Sequence, residues 1–74
     1  MQIKVELFGQ LLPQMPRRQV VDCKPDAKVM DIAHELKIKP DEIGLITING
    51  VQSEFEDDVL EDCRLCFFPY VSGG

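Results

Sequence analysis

The stretch Pro25–Lys39, PDAKVMDIAHELKIK, decides how the chain folds, because the spacing of its apolar residues changes there. Val29, Ile32, Ala33 and Leu36 stand at i, i+3, i+4 and i+7, one stripe of an amphipathic helix. Asp26 is the expected N-cap, and the helix should end near Lys37–Lys39, before Pro40. Upstream the period is two. Ile3, Val5 and Leu7 alternate with Gln2, Lys4, Glu6 and Phe8, the pattern of a half-buried strand with Phe8 on its polar face. Gly9, Pro13 and Pro16 mark residues 9–17 as a loop, after which Arg18–Cys23 returns as a second strand beside the first.

Downstream, residues 44–48 (GLITI) are apolar and β-branched enough for an interior strand, and Asn49-Gly50 supplies the positive φ values of a tight turn. An acidic loop follows, with Phe55 and Leu60 as its expected buried anchors. Arg64–Phe68 closes the structure, with Leu65 and Phe67 on one face and Arg64, Cys66 and Phe68 on the other. Pro69 then stops the ladder, having no N–H to donate. Strand, strand, helix, strand, turn and strand make an α+β chain: a ubiquitin-like β-grasp, with one main helix packed on one face of a mixed four- to five-stranded sheet. Residues 1–69 form that domain and residues 70–74 an extended, flexible tail ending in Gly-Gly.

A chain of 74 residues makes one domain, able to bury only about 60% of its unfolded surface. With 45% hydrophobic and 28% charged residues it has the composition of a folded protein. A net charge of -5, with Arg17-Arg18 the sole adjacent basic pair, argues against nucleic acid and for a basic partner surface. Six of the thirteen acidic residues fall between Glu54 and Asp62, as a solvated loop or as a docking patch for a cationic surface. The opening MQIKVELF is not a signal peptide, no apolar run reaches membrane-spanning length, and three cysteines fit the reduced cytoplasm.

Cys63-Arg64-Leu65-Cys66 is a C-x-x-C, but residues i and i+3 of a strand point to opposite faces, so the sulfurs should diverge. Zinc would need two further ligands, and Cys23 and His34 form no recognised spacing with this pair, so no metal is expected. Plant-type ferredoxins share the β-grasp shape, yet their cluster takes four cysteines. His34 reads as a surface or boundary histidine with no nucleophile placed to need it. Asn49-Gly50 is explained as a turn rather than a phosphate cradle.

The last eight residues, Phe67-Phe68-Pro69-Tyr70-Val71-Ser72-Gly73-Gly74, carry the function. A final Gly-Gly arises by chance in roughly one chain in two hundred. A carboxylate must be activated before it can donate its acyl group, in a site that closes around it, and a tail without Cβ atoms threads a channel that larger residues would block. Residues 69–74 can extend roughly 20 Å, enough to enter another protein's active site. Phe8 and Phe68 both belong to the sheet face opposite the helix, where they should form one apolar docking patch.

FFP-x-V-x-GG at the end, Asn49-Gly50 upstream and the opening IKVELFGQ together resemble the MoaD/ThiS sulfur-carrier family along the whole chain, in particular its molybdopterin branch. The resemblance implies that a ubiquitin-activating-like adenylyltransferase uses ATP and magnesium to adenylate the Gly74 carboxylate, and that a sulfurtransferase persulfide converts the acyl-adenylate to a thiocarboxylate. It implies that the tail then enters the large subunit of molybdopterin synthase, which supplies the catalytic side chains, so that this chain is a subunit and sulfur-donating co-substrate with no bound cofactor. By the same resemblance Gly73 and Ser72 serve tail threading, while Phe8, Phe68, Pro69, Tyr70 and Val71 bind partners. The chain departs from the family in three places. Asp62-Cys63 occupies the turn where Gly-Asp is common, the first loop lacks an arginine soon after the first strand, and Tyr70 stands where a second proline is frequent. The alternatives are a thiamine-type or other pathway-specific carrier, a ubiquitin-like modifier joined through Gly74 to lysine, and a β-grasp binding module.

Overall fold

The computed structural model describes residues 1–9 and 16–70 of the chain. The amphipathic stripe forms α1 (Val29–Glu35), and Val29, Ile32, Ala33 and Leu36 are all buried. The strands are β1 (Gln2–Leu7), β2 (Arg18–Asp22), β3 (Ile43–Ile48), β4 (Val51–Ser53) and β5 (Arg64–Pro69), with a 3-10 turn at Pro40–Glu42. They lie in the order β2-β1-β5-β3-β4, antiparallel except for the parallel pair of β1 and β5. Among the described residues this is the five-stranded mixed sheet and one α-helix of a ubiquitin-like β-grasp. The core between them includes Ile3, Val5, Leu7, Ile46, Leu65 and Phe67, with the alternate residues of each strand on the open face.

The ends of α1 differ from the expectation. Asp26 is not the cap, because residues 27 and 28 are first drawn into a ladder with the acidic loop. Val59 N–H donates to the Ala27 carbonyl at 3.1 Å, and Val29 N–H to the Asp57 carbonyl at 3.0 Å. Lys28 is the N-cap, and the Asp31 carboxylate accepts its backbone N–H at 2.8 Å. The Lys28 ammonium has no acceptor to offer in return, so only half of a capping box is made. It pairs with Asp58 instead.

At the other end the helix stops at Glu35, short of Lys37–Lys39. Lys37 turns left-handed at φ 60, and Ile38 N–H reaches back to the Ala33 carbonyl at 2.9 Å. That is a Schellman closure with lysine where glycine is usual. Replacing Lys37 by glycine should raise stability by about 0.5–1 kcal/mol, since a left-handed L-residue costs more than glycine's extra chain entropy. A thermal midpoint higher by about 2–8 °C would show it.

The acidic loop also corrects one anchor. Phe55 packs against the core, but Leu60 is 56% exposed and Val59 is the buried residue, at 2%. Val59 is held inward by its backbone bond to Ala27. The turn at Asp62-Cys63 works without glycine: Asp62 adopts φ 61 and donates its N–H to the Gln2 carbonyl at 2.9 Å. Aspartate tolerates this conformation better than most residues. Asn49 and Gly50, at φ 52 and 83, make the tight turn into β4, and the Asn49 side chain also accepts the Arg64 N–H at 2.9 Å.

Candidate functional site

Because β1 and β5 run parallel with Leu7 beside Phe67, the next residues, Phe8 and Phe68, fall side by side on the open face. Their rings stack with centroids 4.4 Å apart and planes 11° from parallel. It is thus the parallel pairing of β1 and β5, inside the sheet, that brings them together. Leu45 pairs with Phe68 across β3 and is 39% exposed, extending the apolar patch. The sequence pattern gave no sign of Leu45, because only the register of β3 against β5 places it there.

Beside this patch the open face is charged. Glu6 is 6% exposed, although the alternation puts it on the polar side. Arg64 covers it from β5, donating Nη2 at 2.7 Å and Nε at 3.2 Å to Oε1, while Arg18 on β2 donates Nε to Oε2 at 3.5 Å. The hydrogen bonds from Arg64 hold the Glu6 carboxyl below the usual glutamate range, against the opposing effect of its burial. The same bonds push the Arg64 guanidinium up. Lys4, paired in register with Arg64, adds a further cation. An acidic chain therefore sets two arginines around one buried carboxylate on this face, with Lys4 beside Arg64 in register.

A depressed carboxyl contributes stability that is complete above its unfolded value, about 4.3, and is lost as pH falls through its folded value. The thermal midpoint should therefore drop more steeply below about pH 4.5 in the native chain than in Glu6→Gln, which has no charge to titrate. Parallel acid profiles of the two would overturn that assignment.

The two cysteines of the C-x-x-C are separated by the sheet. Cys63 is buried in the core at 1%, whereas Cys66 is buried on the open side, paired with Glu6 and Thr47. Cys23 lies at the end of β2, in a cleft against α1 that His34 and Glu35 also line. Burial pushes its thiol up, away from the thiolate that nucleophilic work requires. Among the described residues no group of three or more His, Cys, Asp or Glu could hold a metal ion. No helix among them is long and apolar enough to cross a membrane.

Pro69 is the last residue of β5, in register with Ile43. Tyr70 reaches one step further, its N–H donating to the Glu42 carbonyl at 3.4 Å, and its side chain is 64% exposed. Val71, Ser72, Gly73 and Gly74 lie outside the described residues. The patch and the strand that leads to these four residues are therefore adjacent, on one end of the open face.

No protein-family model and no curated protein sequence matches the chain. Solved structures do. SAMP1 from Haloferax volcanii superposes with a TM-score of 0.80 at 24% identity, over 100% of both chains. A protein from Pyrococcus furiosus assigned as molybdopterin converting factor subunit 1 gives 0.74 at 21% identity, over 95% of this chain and 98% of the other. A chain of the complex of subunits 1 and 2 of molybdopterin-converting factor from Helicobacter pylori gives 0.65 at 16% identity, over 100% of both. The chain thus has the fold of the MoaD-like carriers and of an archaeal modifier.

Proposed function

We propose that this chain is a sulfur carrier, the small subunit of a molybdopterin synthase, whose Gly74 carboxylate is adenylated and converted to a thiocarboxylate. The observation that carries the reading is the stacked Phe8–Phe68 patch on the strand that ends at Pro69, five positions before Gly74 in the sequence. A partner that docks on the patch stands next to the origin of the tail. The fold shared with a chain of the two-subunit converting factor supports a large-subunit partner for this one.

In this mechanism the chain contributes no acid, base or metal. A carboxylate oxygen of Gly74 attacks the α-phosphorus of ATP on an activating enzyme, with pyrophosphate leaving, and the partner holds the magnesium that neutralises the phosphates. A sulfurtransferase persulfide then attacks the acyl carbon and expels AMP. A second thiol cleaves the S–S bond and leaves sulfur on Gly74. Docked in the large subunit, the carrier delivers that sulfur to the pterin precursor, and its own task is to position the tail.

The likeness to SAMP1 favours one second reading, a modifier joined to lysine through Gly74. Intact-mass spectrometry after incubation with activating enzyme, ATP, magnesium and a sulfur donor separates the two. Exchange of one terminal oxygen for sulfur is expected. Absence of that species, with conjugates on lysine instead, would overturn the carrier reading. A thiocarboxylate that the large subunit does not discharge would point to a thiamine-type or other carrier pathway.

A further inference from the structure

Three glycines among the described residues have different surroundings. Gly50 has nothing within 4 Å of where a Cβ would stand, so it serves only its turn. Gly44 and Gly9 are both pressed against Pro69–Tyr70. A Cβ on Gly44 would lie 2.9 Å from the Pro69 carbonyl oxygen, 2.9 Å from the Tyr70 Cα and 3.1 Å from the Tyr70 nitrogen. A Cβ on Gly9, at φ +66, would lie 2.6 Å from Pro69 Cγ and 3.2 Å from Cδ.

The topology explains why two glycines meet there. β5 lies between β1 and β3, so its last residues pass the residues just after β1 on one side and the first residues of β3 on the other. The ladder of β3 against β5 is irregular between Ile43 and Leu45, which leaves Gly44 facing the departing backbone. The chain leaves the sheet through a slot whose two walls lack side chains.

We propose that Gly9 and Gly44 are positioning residues that set the direction in which the chain leaves the sheet toward Gly74; the inference rests on the carrier reading above. The magnitude supports a functional effect. A Cβ on Gly44 must push Tyr70 by about 0.5 Å to turn a 2.9 Å approach into an ordinary 3.4 Å contact. Pivoting at Pro69, one Cα step of about 3.8 Å away, that turns the direction in which the chain leaves the sheet by roughly 8°. Misplacing a reacting group by about 1 Å is enough to slow a reaction about 100-fold.

The test measures sulfur loading of the full chain by its activating enzyme under saturating ATP and sulfur donor. Gly44→Ala should keep a native unfolding transition and its Kd for the activating enzyme within about twofold, while the loading rate at saturating enzyme falls about 10- to 100-fold. Gly50→Ala, which shares the backbone strain of Gly9→Ala but lies away from the tail, should load at the native rate. Gly9→Ala should slow loading less in a Pro69→Ala background, where Cγ and Cδ are gone, than in the native one. This pair decides the matter if Gly44→Ala does not fold. Native loading by a folded Gly44→Ala, equal slowing by Gly50→Ala, or no coupling between positions 9 and 69 would overturn the inference. A native chain that gains no sulfur at all would instead overturn the carrier reading, and this inference with it.

Discussion

Replacing Phe67 by alanine is expected to lower stability by about 3–5 kcal/mol, the range for truncating a buried aromatic ring. Phe67 is 0% exposed on the central strand, in register with Leu7 on β1 and Ile46 on β3. Its ring therefore joins both halves of the sheet. At about 0.05–0.15 kcal/mol per residue, 74 residues hold roughly 4–11 kcal/mol in total, so the loss takes a large share. Urea titration should show a much lower midpoint with an unchanged slope, or a chain already unfolded in buffer. The neighbouring Phe68→Ala removes a half-buried ring from the other face and should cost less than half as much. Equal losses from the two would mean that the open face is as much a core as the helix side.

Deletion of Gly74 should abolish sulfur loading and leave folding as it was. The buried residues of β5 end at Phe67, well before a cut after Gly73, and terminal residues are where truncation is best tolerated. The new carboxylate would sit about 3.3 Å short, beyond the roughly 1 Å tolerance of a positioned reacting group. Loading should fall below detection by intact-mass spectrometry while the thermal midpoint stays within about 2 °C. A midpoint that drops as far as in Phe67→Ala would mean that the tail packs onto the domain.

The parts of the fold legible in the sequence are those where one periodicity acts alone. The stripe from Val29 to Leu36 and the alternation of Ile3, Val5 and Leu7 each bury one face, and both did so. Val59 and Leu60 are adjacent apolar residues in a loop, and a loop has no period to choose between them; a backbone bond to Ala27 does. Glu6 follows the alternation and still becomes buried, because its cover comes from arginines 12 and 58 residues away in sequence. At the candidate site, Phe8 and Phe68 are readable from strand parity. Leu45, Gly9 and Gly44 are not, since their roles depend on register and on close approach rather than on residue type.

The parallel pairing of β1 and β5 also orders events in time. Lys4 meets Arg64, partners 60 positions apart, so the first strand waits for the last one made before the middle of the sheet exists. On the ribosome, a chain released before β5 has no Phe67 to join the two hairpins and no Phe68 to lie against Phe8. An unfinished copy would expose core residues to proteases and lack the aromatic pair. The stacked Phe8–Phe68 patch is thus assembled only on chains synthesised far enough to include β5.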